Sequence, residues 1–539
     1  MSRKFCFAVL LALFSLLGCH EEELTFNVSL SGNQEVPPVA AESKADAVVT
    51  LTIQHSASHL VDSDSDYDSG DGSDYDKDYD KDYHDDSPDY SDDDTWTLSA
   101  ELDISMLTDV QAAHIHQGKI GVNGPVAFEF TNNNNGTMSL AETEITQEQA
   151  EELQSGKWYI NVHTLLNPSG EVRGQIVDSN TAIVTFVLEG EQEVPPVDSE
   201  ASGNGYATLN TENYAVDLTV ITENADDATA AHIHEGFIGE NGGVIVDLVA
   251  GDTSGTWMTP ENTTLDEETA NRLINGGHYV NVHTPANESG EIRGQILTDD
   301  FTLLTFSLDG EQEVPAVETE ASGSGYATYN STTEALDLKV LTSGVDDAEA
   351  AHLHEGFIGQ NGSVIVGLEQ DPDDVTIWTS PNGTTLDTET VTRLLAGGHY
   401  VNVHTPANES GEIRGQVLSK DFVLFTFPLD GTQEVPPVDT EASGSGYATF
   451  NQMTKELVAR IVTTGIDDAD EAHIHEGETG ENGGVIVPLD QSEADVTVWE
   501  TPDSVVLDEE TANTLLSGGH YINVHTPANP DGEIRGQIE

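Results

Sequence analysis

The sequence has few basic residues and almost no cysteine. Only 17 of its 539 residues are Lys or Arg, against 98 Asp and Glu, which gives a formal net charge of −81. Duplex nucleic acid is therefore not expected as a partner, because phosphate binding needs a basic face that releases counterions. The two cysteines, Cys6 and Cys19, both lie in the first nineteen residues. They leave no disulfide framework for the rest of the chain.

The N-terminal apolar run, Phe5 to Leu17, is too short to span a bilayer as a mature helix. It follows two basic residues, and this order is typical of an export signal. Its ending, Leu16-Leu17-Gly18-Cys19, resembles a bacterial lipobox, which implies a lipoprotein signal peptide over 1–18 and lipidation of Cys19. The resemblance predicts an exported chain, held by its N-terminal lipid at the outer membrane or cell surface of a bacterium. A secreted chain with an incidental cysteine is the alternative.

Four long internal repeats organise the chain. The phrase Gln-Glu-Val-Pro occurs four times, and each copy ends in Gly-Glu-(Ile/Val)-Arg-Gly-Gln, with successive arginines 120, 121 and 121 residues apart. Each copy is therefore the size of a domain rather than a solenoid repeat. We predict domains, called copies 1 to 4 below, at 24–178, 181–298, 301–419 and 422–539.

Each copy reads as mostly β-structure. Phe301–Leu308 is a predicted strand, and 325–329 with 335–341 forms a predicted hairpin. One helix is predicted over 265–277, with Asp266 as its N-cap and glycine as its stop. Many short strands closed by turns favour an all-β antiparallel sandwich or Greek-key barrel with one short helix.

Copy 1 alone carries an insertion, residues 62–94, with sixteen aspartates and five tyrosines. A segment this charged cannot bury a core, so we predict a disordered, solvated loop with diffuse cation binding. No register within it matches the EF-hand calcium pattern.

Three histidines recur in each copy, as His-x-His and about fifty residues later in Asn-Val-His. Residues i and i+2 of a strand share a face, so His232 and His234 should point together. The same alternation places His283 outward, and it places Glu291 and Arg293 outward around an inward Ile292. The twelve histidines are His114, His116, His163, His232, His234, His283, His352, His354, His404, His473, His475 and His525.

Two interpretations of these residues remain open. Three neutral imidazoles with one open position suit Zn²⁺ or Cu²⁺, one ion per domain, with the arginine supporting the site or guiding an anion. Alternatively, the histidines form a buried hydrogen-bond network with the glutamate, and the arginine ties the last strand to its neighbour. The glutamates and arginines concerned are Glu171, Arg173, Glu291, Arg293, Glu412, Arg414, Glu533 and Arg535.

The repeated phrases together resemble the chordin-type (CHRD) domain family. They are Gln-Glu-Val-Pro-Pro-Val, Ala-His-Ile-His-Glu-Gly-x-x-Gly-x-Asn-Gly, Tyr-Val-Asn-Val-His-Thr and Gly-Glu-Ile-Arg-Gly-Gln. The resemblance covers nearly all of the chain after residue 24 except the insertion. It implies four immunoglobulin-like β-barrels in tandem, in a family that includes extracellular antagonists of bone morphogenetic proteins and exported bacterial proteins.

The family's distant similarity to copper–zinc superoxide dismutases carries over only in part. In copy 2, His232, His234 and His283 resemble copper ligands, and Arg293 resembles the arginine that guides the anion. No histidine lies between His234 and His278, so the bridging ligand and the zinc loop are missing. This gap argues against a two-metal dismutase. His278 also falls on the opposite strand face from His283, which favours packing over ligation.

No other catalytic constellation stands out, since the sequence has no Gly-x-Ser-x-Gly elbow, Walker loop or dinucleotide fingerprint. Our first hypothesis is therefore a surface-anchored lipoprotein that acts as a binding or scaffold module for an extracellular protein or surface ligand. Repetition would raise its avidity. The alternative is a mononuclear copper- or zinc-binding protein with dismutase-like redox or metal-scavenging activity.

Overall fold

The computed structural model of the chain describes residues 21–39, 43–55, 94–502 and 505–539. Over these residues the all-β prediction is confirmed: antiparallel strands form nearly closed barrels in tandem, each with one short helix. The predicted signal peptide 1–18, Cys19 and residues 62–93 of the insertion lie outside the described residues. None of the described helices is long and apolar enough to cross a membrane.

The barrel of copy 1 is one antiparallel sheet in the order β5-β4-β8-β9-β1-β2-β3-β7-β6. Alternation drives its core: Ala45, Ala47, Val49, Leu51 and Ile53 are buried along one strand, while the residues between them are more exposed. The elements are β1 Glu21–Ser31, β2 Lys44–Gln54, β3 Thr95–Asp103, β4 Val110–Gln117, β5 Val126–Glu129, β6 Thr131–Asn132, β7 Thr137–Ile145, α1 Gln147–Gln154, β8 Trp158–Thr164 and β9 Val172–Gln175.

Two compact units contain the described residues. The first extends to Thr185 and adds Asn204–Ile221 and Met258–Asp266, and the second holds the remainder. Copy 1 lies in the first unit, copies 3 and 4 lie in the second, and copy 2 contributes to both. The elements of copy 2 are β10 Thr181–Glu189, β11 Ser202–Asn210, β12 Val216–Glu223, β13 Ala230–Glu235, β14 Val244–Asp247, β15 Val249–Ala250, β16 Thr256–Met258, α2 Glu267–Ile274, β17 His278–His283 and β18 Ile292–Gln295.

Copies 3 and 4 repeat the strand order of copy 1. Copy 4 forms one nine-stranded sheet, and copy 3 forms a five- and a four-stranded sheet joined by an isolated bridge between Asp309 and Arg414. The elements of copy 3 are β19 Phe301–Leu308, β20 Ser322–Asn330, β21 Leu336–Ser343, β22 Ala350–Glu355, β23 Val364–Gly367, β24 Glu369–Gln370, β25 Ile377–Thr379, α3 Thr388–Leu395, β26 His399–His404 and β27 Ile413–Gln416. Those of copy 4 are β28 Phe422–Asp430, β29 Ser443–Asn451, β30 Leu457–Thr464, β31 Glu471–Glu476, β32 Val485–Pro488, β33 Asp490–Gln491, β34 Val498–Glu500, α4 Glu509–Leu516, β35 His520–His525 and β36 Ile534–Ile538.

The arginine of the closing phrase lies where the two halves of each barrel meet. In copy 1, β1 pairs with β9 through Ser31 and Arg173, and in copy 4, β28 pairs with β36 through Asp430 and Arg535. The last strand of each copy therefore brings the arginine to the seam of the barrel.

Candidate metal centre

The strand register brings the three histidines of each copy together. In copy 2, β13 and β17 pair so that Ala230 lies opposite His283 and His232 lies opposite Asn281. His232 and His234 share a face of β13, and His283 projects from the neighbouring strand on the same side. A register shift between Ile233 and His234 on the β14 side marks a bulge at the site. The predicted common face is therefore observed.

The trio has nearly the same geometry in every copy. In copy 2 the ring centroids lie 4.9 Å apart for His232 and His283, 5.5 Å for His232 and His234, and 5.9 Å for His234 and His283. One ring nitrogen from each histidine can be chosen so that the three atoms lie within 4.8 Å of one another. The same holds for the other three trios, which are His114, His116 and His163, then His352, His354 and His404, then His473, His475 and His525.

Backbone carbonyls fix two rings of each trio. The Nδ1–H of His234 donates to the Gly242 carbonyl at 3.0 Å, and that of His283 donates to the Glu288 carbonyl at 3.0 Å. A carbonyl can only accept, so the proton of each neutral ring is on Nδ1 and Nε2 carries a lone pair; that of His283 accepts a hydrogen bond from His232 Nδ1 at 3.0 Å. The Nε2 of His234 is buried and has no hydrogen-bond partner. A carbonyl behind each ring is the arrangement that orients histidine ligands of metals.

Burial favours the neutral form of His234 and His283. Desolvation lowers the pKa of His234 below its ordinary value, with the nearby His232 and Arg293 acting in the same direction and the Gly242 bond opposing. Desolvation also lowers the pKa of His283. A metal ion binds only the neutral imidazole, so the site is prepared for a ligand role at neutral pH.

The donor set fits a zinc or copper ion. His232 Nδ1 donates a hydrogen bond to His283 Nε2 at 3.0 Å. An ion that displaced this proton would find the two nitrogens close to the separation of about 3.3 Å that they adopt on a tetrahedral zinc. The corresponding separation is 3.0 Å in copy 3 and 3.2 Å in copy 4. Three imidazoles leave one coordination position for water or another ligand.

Arg293 lies on the outward strand face as expected, but it is buried there, so the expectation of a solvent-facing, anion-guiding charge is corrected. Its side chain is fully buried, and its guanidinium donates to the carbonyls of Glu240 and Phe237 at 2.7 and 3.0 Å and to Gln295 Oε1 at 2.9 Å. It also lies 3.5 Å from the ring centroid of Tyr279. Burial lowers its pKa to about 10, so it stays charged at neutral pH.

We call this set the arginine cradle: the arginine, the glutamine two residues later, and the loop between the His-x-His strand and the edge strand. The loop folds back over the outward strand face and buries the arginine there. Strand alternation alone does not predict this burial. Arg173, Arg414 and Arg535 are buried in the same way.

Glu291 belongs to a different network from the one expected. Its carboxylate accepts hydrogen bonds from the hydroxyls of Ser199 and Thr284 and from Asn287 Nδ2. These bonds lower its pKa, the one from Asn287 most strongly. The described hydrogen bonds of Glu291 include none to a histidine, so the expected network is corrected: the histidines bond to one another and to backbone carbonyls, and the glutamate does not join them. Glu171, Glu412 and Glu533 bond to the matching Thr and Asn side chains.

Sequence reasoning missed a second buried pair, between the glutamate of Gln-Glu-Val-Pro and the asparagine of Asn-Val-His. Asn281 Nδ2 donates to Glu193 Oε2 at 3.2 Å, while Glu193 Oε1 and Asn281 Oδ1 are buried and unpartnered. Burial raises the pKa of Glu193 to about 7, although Arg293 opposes the shift. A proton on Glu193 Oε1 would supply the donor that the two unpartnered oxygens lack. The sequence did hint at this pair, because Gln-Glu-Val-Pro and Asn-Val-His both recur in every copy.

His278 lies outside the trio, as strand alternation predicts. It is buried, and desolvation lowers its pKa to about 4, with Arg272 adding to the shift and Glu235 opposing it. His399 and His520 are also buried, and Trp158 occupies this place in copy 1.

The chain is thus a tandem β-barrel protein, and each barrel carries one candidate site of three histidines. The family model of the CHRD domain matches residues 90–176, 184–296, 304–417 and 425–538, which is most of the chain. The chain therefore belongs to the CHRD domain family and contains four tandem copies of the domain. The domain boundaries given above stay predictions.

Two curated relatives are named Chordin. The protein from Xenopus laevis is 32% identical over 164 residues, and the protein from Danio rerio is 25% identical over 174 residues. Each match covers 27% of this chain and 17% of the relative. The chain thus spans less than a fifth of the length of these relatives.

Proposed function

We propose that each CHRD copy binds one zinc or copper ion through its three imidazoles, so that the chain is a tetravalent metal-binding protein. The observation that carries this proposal is a buried imidazole lone pair without a partner, which recurs in every trio. In each copy two Nδ1–H groups are committed to backbone carbonyls, and Nε2 of the second His-x-His histidine is left buried without a partner. A buried polar atom without a partner costs free energy, and a bound cation would recover that cost.

The protein's own residues would do three things at this site. The carbonyls orient two rings of each trio, burial favours the neutral form of rings such as His234 and His283, and the net charge of −81 raises the local concentration of cations. A bound copper ion would add redox chemistry, and a bound zinc ion would act as a Lewis acid. The geometry favours binding or scavenging of the ion over a two-metal reaction, because the trio is the whole described donor set of each copy.

Metal stoichiometry of the full chain tests this proposal. After dialysis against Zn²⁺ or Cu²⁺ and removal of loosely bound ions with a weak chelator, we expect four equivalents per chain by elemental analysis. His283→Ala should lower the value to three, and removing one histidine from every trio should lower it to zero. His278→Gln is the matched control, because it changes a buried histidine on the opposite face of the same strand. Four equivalents retained in His283→Ala would reject the site.

Export and anchoring form the second part of the proposal. The N-terminal sequence supports a lipid on Cys19, and the similarity to proteins named Chordin supports a binding or scaffold role outside the cell. Cys19→Ser should accumulate unprocessed and fail to incorporate labelled palmitate. Normal labelling of that variant would refute the anchor.

The extracellular ligand can be tested separately from the metal. If the chain is a multivalent scaffold, surface binding should weaken stepwise as copies are deleted from the C-terminal end, because avidity depends on the number of copies engaged. Binding that does not change with copy number would contradict the scaffold role.

A further inference from the structure

Consecutive copies contact each other through one repeated tyrosine. Tyr326 of copy 3 donates its hydroxyl to the Glu193 carbonyl of copy 2 at 2.8 Å, and Tyr447 of copy 4 donates to the Glu313 carbonyl of copy 3 at 2.8 Å. Tyr206 of copy 2 makes the same bond to copy 1. All three tyrosines are 1% exposed. Each therefore fills a pocket that the preceding copy provides.

The loop of the arginine cradle lines this pocket. Gly239 has φ +74°, and a Cβ on it would lie 3.1 Å from Tyr326; Gly359 would meet Tyr447 at 3.0 Å. Both positions require glycine, because an added side chain would be strained and would displace the ring. The residue before each glycine, Ile238 or Ile358, is buried. Copy 1 supplies the same pair, Ile120 and Gly121.

The residue across the strand from the tyrosine completes the contact. Lys339 is paired in register with Tyr326, and its Nζ lies 3.6 Å from Glu240 of the preceding copy. Arg460 is paired with Tyr447, and its Cδ is 3.0 Å from the Cβ position of Gly359. In copy 2, Thr219 donates its hydroxyl to the Ile120 carbonyl.

The first copy lacks the tyrosine of this contact, and the fourth copy lacks the isoleucine of the loop. Counted from Gln-Glu-Val-Pro, Val48 stands in copy 1 where the later copies have tyrosine; it is 43% exposed and paired with the exposed Glu101. In copy 4, Thr479 replaces the isoleucine and is exposed. A Cβ on the adjacent Gly480 would have no atom within 4 Å. The strand face of copy 1 and the loop of copy 4 are therefore the two surfaces whose residues differ from those that form the contacts between copies.

We propose that the tyrosine face and the Ile-Gly loop are matching head-to-tail docking surfaces for CHRD copies, and that Val48 with Glu101 and Thr479 terminate the array. A head-to-tail surface extends without limit unless its ends are altered. The terminal residues remove the aromatic ring from one end and the apolar knob from the other. A second chain therefore finds no matching surface at either end.

The first experiment measures the docking contact by hydrogen exchange in the full chain. Tyr326→Val, which installs the residue of copy 1, should speed amide exchange in the loop Gly236–Asn241 by about tenfold, and Tyr326→Phe should have a smaller effect in the same direction. Tyr329→Phe removes a hydroxyl from the same strand outside the contact and should leave the loop unchanged. Unaltered β26 amides confirm that copy 3 remains folded. Loop exchange equal to that of the wild type in Tyr326→Val would overturn the proposal.

The second experiment restores the missing residues at the ends. The triple variant Val48→Tyr, Glu101→Lys, Thr479→Ile should associate end to end at about 1 mM chain, the effective concentration that a short linker gives to neighbouring copies. Sedimentation at high ionic strength, which screens the like charges of two chains, should show oligomers for this variant and monomers for the wild type. A monomeric triple variant, or a wild type that itself associates through these ends, would contradict the proposed termination.

Discussion

The histidine trio, on β13 and β17, and the arginine cradle, whose arginine is on the adjacent β18, differ in which polar atoms they leave unbonded. The guanidinium of Arg293 bonds two loop carbonyls and Gln295, whose Nε2 in turn donates to the carbonyls of Gly236 and Gly276 at 2.8 and 2.7 Å. The trio leaves the Nε2 of His234 buried and unbonded. Both features repeat four times, so repetition alone does not separate structure from function.

The kind of unbonded atom does separate them: Arg293 leaves a buried N–H donor, Nε, without a partner, whereas His234 leaves a buried lone pair on Nε2. A network whose donors and acceptors are nearly all matched stabilises the fold and offers little to a ligand, whereas unbonded lone pairs in a rigid frame are a site for one. Four predictions test this distinction.

The largest expected effect is on the cradle. Arg293→Met leaves the Phe237 and Glu240 carbonyls without their donor, so we expect a loss of about 3 kcal/mol or more in the local stability of copy 2. Hydrogen exchange of the β17 amides measures it. The control Arg272→Met removes a half-exposed ion pair with Glu235 and should cost less than about 1 kcal/mol. Equal costs for the two variants would refute the structural role.

The second effect is on metal-linked stability. Zinc at a hundredfold excess over its dissociation constant should stabilise copy 2 by about 2.7 kcal/mol, and His283→Ala should abolish that gain. Because burial lowers the pKa of His234 and His283, binding should persist below pH 6.5, the ordinary pKa of histidine. Calorimetry with and without zinc across this pH range tests both statements. A zinc-induced gain of equal size in the variant would contradict them.

The third effect concerns the buried Glu193–Asn281 pair. With a pKa raised to about 7, the folded chain keeps a proton that the unfolded chain releases near pH 4.5, so the contribution of Glu193 to stability declines as pH rises from about 4.5 to about 7. Glu193→Gln keeps the acceptor for Asn281 Nδ2 and adds a permanent N–H donor, without a titration. Compared with the wild type, it should remove about 3 kcal/mol of pH dependence over that window. Parallel stability curves for the two proteins would show that Glu193 does not titrate there.

The smallest expected effect is on zinc affinity, and it concerns Asp247, a carboxylate beside the trio. Asp247 Oδ1 lies 3.5 Å from His232 Nε2, but Asp247 is highly exposed, and copies 3 and 4 have Gly367 and Pro488 opposite the matching histidine. Asp247→Asn should therefore change zinc affinity by less than about threefold. A larger loss in a direct titration would add the carboxylate to the site.

Much of the fold could be predicted because it depends on local rules. Repeated phrases defined four copies, and alternation placed His232 and His234 on one face and His278 on the other. In copy 1, α1 begins at a capping box of Thr146 and Gln149, which is also a local feature of the sequence. The burial of Arg293 could not be predicted, because the loop that covers it is set by tertiary contacts rather than by strand period.

By itself, the sequence determined the class of fold and which histidines share a strand face, because hydrophobic alternation and a fixed backbone repeat act within a few residues. Only the tertiary structure decided that β17 delivers His283 to that face, that carbonyls hold the Nδ1 protons, and that Tyr326 fits the loop of the preceding copy. Those facts depend on strand register and loop closure between residues far apart in sequence.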